Sequence, residues 1–365
     1  MKKRMLTMFI FIFSMLPVMT AKAGVVPPLN EVGTDISKMG SDSRNIQAEL
    51  EETGYVVLED GGEYYLSSPI YLSDGDYLDA TGATIYCSTF IFKSPEKEPN
   101  YKSLKNVTLK GGKWRSTSKT GFDASSFHIR HSRDITISDM DIKVSNYEGH
   151  TMEFVACKNI TVKNCKIRCL GKPKKESVQE QIQIDLAAPS TAKDTKERTN
   201  GGTCDNINII GCDVEGCRAV CSNWAAKDRG KYLNKFHTNI TIKNCKLTGV
   251  TSEALALFNA TNATITGNTL ISKAPSNRDN YSTGCRIEFF GTVPKKIKKR
   301  DLVIKNNVIK GVNNGLRIAT STSSVFDNLI LKNNKMYTKS GLGSAKMISA
   351  VKKKKESGNK TGQWK

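Results

Sequence analysis

The sequence predicts an all-β solenoid, in which short strands stack coil upon coil into parallel sheets. An Asn or Asp followed by an aliphatic residue, usually Thr, a second aliphatic residue and a later apolar residue recurs eight times. Repeats spaced by about 20–50 residues cannot bury an apolar face alone and must stack on their neighbours. Each repeat alternates apolar and polar residues and ends in Gly or Asn, which indicates strands and turns. The repeats start at Asn106, Asp134, Asn159, Asn206, Asn239, Asn262, Asp301 and Asn328.

The start of the chain has the pattern of a secretory signal. Lys2, Lys3 and Arg4 precede an apolar run over residues 5–19, and residues 21–23 read Ala-Lys-Ala. We therefore expect cleavage near Ala23 and a secreted, extracellular protein. No other segment has the roughly 18 apolar residues that a membrane span needs. The predicted organisation is a signal peptide at 1–23, one repeat domain at 24–345 and a basic, disordered tail at 346–365.

Charge suggests the kind of partner. The net charge of +20 favours polyanions, such as an acidic polysaccharide, and the basic tail suggests association with a cell wall. A nucleic-acid partner is disfavoured by the export signal, the low aromatic content and the lack of a nucleic-acid recognition motif.

One helix is predicted, over residues 44–54. Asp42 or Ser43 can cap its start, Ile46 and Leu50 share one face, and Gly54 ends it. Since the end of a solenoid needs a cap, this helix should cover the first coil. Short strands joined by Asp-Gly turns follow it.

The ten cysteines suggest core filling more than metal binding. Cys165, Cys212 and Cys245 occupy the same place in successive repeats, and Asn holds that place afterwards. We expect a buried Cys/Asn ladder, continued by Asn268, Asn307 and Asn334. Disulfides among Cys169, Cys204, Cys217 and Cys221 stay open, and the spacing favours no metal site.

The segment after the helix resembles a known family. Asn45-Ile-Gln-Ala, then Ser-Ser-Pro-Ile, then Leu78-Asp-Ala-Thr-Gly-Ala-Thr-Ile is similar to the pectate-lyase-like superfamily, and the resemblance covers residues 40–340. It implies a right-handed parallel β-helix, a fold that carries hydrolases, lyases, epimerases, adhesins and phage spikes. The full motifs of polygalacturonase-type hydrolases are not matched. Gln183-Ile-Asp185 and Arg286-Ile-Glu288 match two of them only in part, so no catalytic residue is carried over.

Candidate site residues come from the second strand of each repeat. Its alternation places an unusual row of carboxylates, Arg, Gln and His on the outer face of one sheet. Glu153 and Asp185 fall on adjacent coils, about 5–8 Å apart, and could act as the acid and base of a glycosidase. The same carboxylates could instead hold Ca²⁺ or simply pair with neighbouring Arg and Lys. The candidates for substrate binding are His128, Arg130, Gln183, Arg218, Arg286, Glu288 and Arg317.

His150 lies at the mouth of the same strand as Glu153 and could shuttle a proton or orient that carboxylate. Two insertions, 172–203 and 276–283, would leave the turns and wall a groove over this sheet.

These features favour a secreted carbohydrate-active enzyme that cuts an acidic polysaccharide by hydrolysis, without a cofactor. The alternatives are a lyase on a uronic-acid polymer, with Arg as the base, and a non-catalytic protein that binds glycan or cell wall.

Overall fold

The computed structural model describes residues 24–88, 90–95, 99–117, 126–146, 149–175, 177–191, 199–223, 229–339 and 341–364. The secretory signal predicted at 1–23 lies outside them. Among these described residues, none of the helices combines the length and the apolar composition of a membrane span.

The described strands, numbered β1–β33 along the chain, form three long sheets, A, B and C, in which every neighbouring pair is parallel. The chain visits the sheets in the order A, B, C, so each coil contributes one strand to each. The architecture is a right-handed parallel β-helix of ten complete three-stranded coils.

Sheet A contains β1 (Gly24–Val26), β2 (Tyr55–Leu58), β5 (Tyr77–Asp79), β8 (Lys105–Lys110), β11 (Arg133–Ser138), β14 (Lys158–Lys163), β17 (Asp205–Ile210), β20 (His237–Lys243), β23 (Ala260–Thr266), β26 (Asp301–Lys305), β29 (Phe326–Lys332) and β32 (Val351–Ser357). Sheet B contains β3 (Glu63–Leu66), β6 (Thr84–Cys87), β9 (Lys113–Ser116), β12 (Asp141–Asn146), β15 (Lys166–Leu170), β18 (Asp213–Gly216), β21 (Lys246–Gly249), β24 (Thr269–Ser272), β27 (Val308–Gly311), β30 (Lys335–Lys339) and β33 (Lys360–Trp364). Sheet C contains β4 (Ile70–Tyr71), β7 (Phe92–Lys93), β10 (Phe127–Arg130), β13 (Met152–Val155), β16 (Glu180–Asp185), β19 (Arg218–Ser222), β22 (Leu255–Phe258), β25 (Thr283–Phe289), β28 (Asn314–Thr320) and β31 (Ser344–Ile348). The helices among the described residues are α1 (Ser43–Thr53), α2 (Arg229–Tyr232) and the 3₁₀ helices Ile36–Lys38 and Ser276–Ser282.

The eight predicted repeats are confirmed as strands of sheet A. Several opening residues have a left-handed backbone, among them Asn106 (φ 60°) and Asn159 (φ 53°). Asn and Asp tolerate this conformation because their short polar side chains can bond locally. The side chains also stack between coils, since the Asn159 amide donates to Asp134 Oδ1 at 2.7 Å. The recurring Asn therefore sets the turn and joins neighbouring coils.

The core runs along the inside of the stack. The predicted inward residues of sheet C, including Phe127, Phe154 and Ile184, are buried in one continuous apolar cluster. The Cys/Asn ladder is also confirmed. Asn307 Oδ1 accepts from the backbone and side chain of Asn268, each at 2.9 Å, while its own amide nitrogen donates to Asn334 at 2.9 Å. All ten cysteines are buried thiols.

The predicted N-terminal cap is confirmed as α1. Ile46 and Leu50 are buried in the core, and Gly54 ends the helix with φ of 67°. Asp42 makes no side-chain hydrogen bond to the helix. Instead, its carboxylate accepts from the backbone N–H groups of Leu29 and Tyr65 at 2.6 and 2.7 Å, so it ties the cap to the first coil.

The predicted end of the domain at 345 and the disordered tail are wrong. β32 pairs with β29 and β33 pairs with β30, so the coil continues to Trp364. Strand alternation explains why this segment is ordered. Every second residue of β32 continues a core position, so Lys354 and Glu356 lie opposite the buried Leu329 and Leu331. Glu356 also pairs with Lys346, at 2.7 Å, and with Lys354, at 2.8 Å. The last strands thus place charges over the apolar end of the core.

Candidate active site on sheet C

The outer face of sheet C carries two rows of polar side chains. In the first, neighbouring strands align His128, Glu153, Gln183, Cys221, Ala256, Arg286 and Arg317. In the second, Arg130 lies opposite Val155 and Val155 lies opposite Asp185. Asp185 is therefore one coil and two residues away from Glu153. The register places both predicted carboxylates on the same face, on adjacent strands.

Glu153 is held as a carboxylate. Its Oε2 lies 2.9 Å from His128 Nε2 and 3.7 Å from the Arg130 guanidinium. Burial alone would raise the pKa of Glu153, but the hydrogen bond from His128 and the charges of His128, Arg130 and His150 lower it to about 2. Glu153 is consequently ionised at neutral pH.

Asp185 has the opposite environment. Its side chain is 1% exposed and accepts from Gln183 Nε2 at 2.9 Å and from the Leu186 N–H at 2.8 Å. Burial raises the pKa of Asp185 well above its ordinary value, and the nearby negative charge of Glu153 raises it further. The backbone N–H of Leu186 and the side chain of Asn223 oppose this rise. Two neighbouring carboxyl groups are thus driven towards different protonation states.

Further along the face, buried acidic and basic side chains alternate and form ion pairs with one another. Arg218 pairs with Glu180 at 2.5 Å and with Glu253 at 2.8 Å. Arg286 pairs with Glu253 at 3.2 Å and with Glu288 at 2.6 Å. Isolated charges are costly to bury, so each of these groups depends on its partners. Glu180 and Glu253 were not among the predicted site residues, because they lie at or before the first residue of their strands, where strict alternation does not apply.

Aromatic side chains cover this part of the face. The guanidinium of Arg286 lies 5.1 Å from the Phe258 ring centroid and 6.0 Å from that of Tyr281. Arg218 lies 5.5 Å from the Phe258 centroid. Tyr281 belongs to the 3₁₀ helix Ser276–Ser282, so the second predicted insertion does flank the site. Tyr281 is 40% exposed and is a surface on which a ligand can pack.

Three other candidates occupy different places. His150 Nδ1 lies 2.9 Å from the backbone oxygen of Glu180 and 3.6 Å from its carboxylate, so its nearest contacts are with Glu180. Gln183 donates to Asp185, and its buried Oε1 has no hydrogen-bond partner among the described residues. Arg317 lies at the C-terminal end of the row, where a guanidinium nitrogen is 2.9 Å from the sulfur of Met347.

The row faces away from the core as predicted, but it is not open. His128, Arg130, Glu153, Gln183, Arg218, Arg286 and Glu288 are 4–8% exposed. Their pairing and the adjoining Phe258 and Phe90 explain part of this burial, since Phe90 stacks on His128 at 5.7 Å. Across the described residues, no group of three or more His, Cys, Asp or Glu side chains could hold a metal ion.

Known proteins match the fold of this chain. The amino-acid sequence matches no protein-family model and no curated protein. The surface adhesin PfbA of Streptococcus pneumoniae superposes with a TM-score of 0.59 at 13% identity over 88% of this chain and 86% of that one. An endo-xylogalacturonan hydrolase from Aspergillus tubingensis gives 0.52 at 13% identity over 93% of both chains. An alginate lyase from Paenibacillus sp. str. FPU-7 gives 0.51 at 10% identity over 89% of this chain and 96% of that one. The chain therefore shares the parallel β-helix fold with these proteins.

Proposed function

We propose that this chain is a carbohydrate-active enzyme, a glycoside hydrolase whose acid and base are Asp185 and Glu153. The observation that carries the proposal is the pair itself. Two carboxyl groups lie on adjacent strands of one face, one ion-paired and the other buried among amide donors. Neighbouring carboxyls whose surroundings push their pKa values apart are typical of acid and base pairs.

The roles follow from the contacts. Asp185 would donate its proton to the glycosidic oxygen, and Glu153 would activate water or attack the sugar. His128 and Arg130 would hold Glu153 ionised and in place. Gln183 would orient Asp185 through Nε2 and accept a sugar hydroxyl at its buried Oε1. A separation of about 5–5.5 Å between the carboxyls would give retention of configuration, and about 6.5–9.5 Å inversion.

The substrate class is a polysaccharide. Two structural neighbours are, by name, an alginate lyase and an endo-xylogalacturonan hydrolase. The positive charge of the C-terminal coils favours an acidic polymer and would also suit contact with an anionic cell wall. Secretion rests on the signal pattern of residues 1–23. A Ca²⁺ requirement stays a secondary proposal. It would need Asp185 to be ionised as well as Glu153, since a hard cation binds carboxylates.

A lyase that uses Arg as its base is less well supported. To remove a proton, Arg286 would first have to become a neutral guanidine, and neighbouring carboxylates favour the protonated form. Arg286 instead donates to both Glu253 and Glu288. Arg317 is less enclosed, but it is several strands away from the carboxyl pair in the register of sheet C.

Low exposure favours a second candidate, a non-catalytic protein that binds glycan. Asp185 is 1% exposed and Glu153 is 7% exposed, and the remaining ion pairs of the face are satisfied internally. In such a protein the two rows would stabilise sheet C, and Tyr281 would contact the ligand. The adhesin PfbA is a structural neighbour with a binding role by name.

Activity measurements separate these candidates. The mature protein is incubated with neutral and acidic polysaccharides, with Ca²⁺ and with a chelator, while reducing ends and the near-ultraviolet absorbance of unsaturated sugars are followed. We expect new reducing ends without absorbance. Asp185→Asn and Glu153→Gln should each reduce the rate at least about 100-fold, the lower end of the usual contribution of an acid or base. Asp213→Asn, in an ion pair on sheet B, is the matched control and should keep the wild-type rate.

The other outcomes decide against hydrolysis. New reducing ends together with the near-ultraviolet absorbance of unsaturated sugars would identify a lyase. Binding without any turnover across the panel, unchanged in Asp185→Asn, would identify a non-catalytic glycan-binding protein.

A further inference from the structure

We propose a second ligand site, a groove for an anionic saccharide chain on the outer face of sheet B, at its C-terminal end. Val308, Lys310, Lys335, Tyr337, Gln363 and Trp364 line the groove. It lies on a different sheet from the carboxyl pair and would bind without cutting, so it does not depend on the proposed hydrolysis.

Charge is the first support for this site. Residues 291–365 contain 18 Lys and Arg against 3 Asp and Glu, a net charge of +15, whereas residues 24–290 contain 33 against 32, a net charge of +1. Nearly all the positive charge beyond the predicted signal therefore lies on the last coils. A concentrated patch of one sign attracts polyanions and speeds their association.

The groove places aromatic side chains beside these positive charges. Tyr337 and Trp364 are partly exposed on the outer face of β30 and β33, and the Trp364 Nε1–H donates to the backbone oxygen of Gly311 at 3.2 Å. This bond fixes the indole across the end of β30. The Lys310 ammonium lies 6.0 Å from the Tyr337 ring centroid, and Lys335 is exposed beside it.

Gly362 keeps the Tyr337 ring open. It is the direct neighbour of Tyr337 in the last strand, and a Cβ at this position would come within 3.3 Å of two ring carbons. Any larger side chain would cover the ring. The groove has a volume of about 250 Å³ and is open to solvent. It is smaller than the roughly 300–1,000 Å³ of sites that enclose a small molecule, and so suits a polymer lying across the surface.

The chemistry fits an acidic sugar. Flat aromatic faces offer apolar surface to the C–H side of a sugar ring at low entropic cost. Two lysines can then bind carboxylate or sulfate groups, and none of the lining residues is acidic. A lysine also binds phosphate as a point charge, so a nucleic acid is the competitor that the experiment has to exclude.

The test is equilibrium binding of the full mature chain to a galacturonic acid oligosaccharide, a neutral oligosaccharide of equal length and a single-stranded DNA oligomer, at several salt concentrations. We expect binding of the acidic oligosaccharide only. Tyr337→Ala and the double variant Lys310→Gln/Lys335→Gln should each weaken it about tenfold or more, the usual effect of removing an interface anchor. The control is Lys353→Gln/Lys355→Gln, which removes the same charge from exposed positions on sheet A.

Gly362→Val provides a test that removes no side chain. It should weaken binding as Tyr337→Ala does, while the thermal unfolding temperature stays near that of the wild type. Equal weakening by the sheet A control would overturn the site and leave only general charge attraction. Binding of the DNA through the same residues, or failure of the acidic oligosaccharide to bind, would also overturn it.

Discussion

Replacing the carboxyl of Asp185 and that of Glu153 by an amide should change the unfolding free energy in opposite directions. Glu153→Gln breaks a charge-assisted hydrogen bond to His128 and should cost about 1.5–3 kcal/mol of unfolding free energy at pH 7. Asp185→Asn should raise the unfolding free energy at pH 7, because the folded state favours the neutral form of this carboxyl. Urea unfolding of both variants at several pH values tests this.

The pH dependence follows from the two shifts. The pKa of Glu153 is lowered, so its stabilisation is complete above its usual value near 4.5 and is lost as pH falls towards about 2. The pKa of Asp185 is raised, so stability falls as pH rises from its usual value near 3.8 towards the folded value. The advantage of Asp185→Asn should therefore vanish near pH 4. A loss of stability in Asp185→Asn at pH 7 would mean that the folded protein holds Asp185 ionised.

Single residues show how far alternation carries a sequence-based prediction. The inward and outward assignments around Glu153 and Gln183 are confirmed by the register of sheet C. Burial was not predictable, because it depends on stacked side chains and loops that leave the turns at unrelated points in the sequence. The partners of Arg218, Glu180 and Glu253, were not predicted because they lie at or before the first residue of their strands, on two other coils.

At the scale of elements, the Asn part of the ladder should contribute more to the unfolding free energy than the Cys part. Asn307→Ala removes the acceptor of the buried Asn268 N–H and the donor to the Ile265 oxygen. Each buried polar group left without a partner costs about 1–3 kcal/mol, so a loss of about 3 kcal/mol or more is expected. Cys212→Ala, at the equivalent position, loses only weak sulfur contacts and should cost less. Chemical denaturation compares the two, and equal losses would refute the ladder's role.

The last coil should keep the solenoid from associating end to end. Lys354 and Glu356 occupy inward positions where earlier coils have Leu329 and Leu331. Charges on an unpaired edge strand discourage pairing with another chain. The double variant Lys354→Leu/Glu356→Leu should therefore associate at concentrations where the wild type is monodisperse, as measured by light scattering. Lys353→Leu, which is exposed on the same strand, is the control, and equal association in it would contradict the capping role.

Elements also show which sequence signals were sufficient. The repeats and α1 were predictable because periodicity and capping residues are local in sequence. The last coil was not, because a run of four lysines is typical of a disordered segment. The structure contains it because every second residue of β32 replaces a core residue of the coil before.

At the scale of the whole molecule, the polar face of sheet C and the positively charged surface lie in different parts of the solenoid. Sheet C gathers carboxyls, amides and arginines from coils far apart in sequence, whereas the last coils concentrate a net charge of +15. The fold class could be predicted from the sequence alone, because stacking repeats determine it. The proposed activity depends on contacts between coils, which no repeat contains by itself.

The most direct test of a proton donor beside a carboxylate on sheet C is difference infrared spectroscopy of the folded protein at neutral pH. A protonated carboxyl and a carboxylate have well-separated carbonyl stretching bands. We predict a protonated-carboxyl band in the wild type that Asp185→Asn removes and Glu153→Gln retains, since burial is the larger cause of the Asp185 shift. A wild type without that band, or a band that disappears in Glu153→Gln but persists in Asp185→Asn, would contradict the assignment.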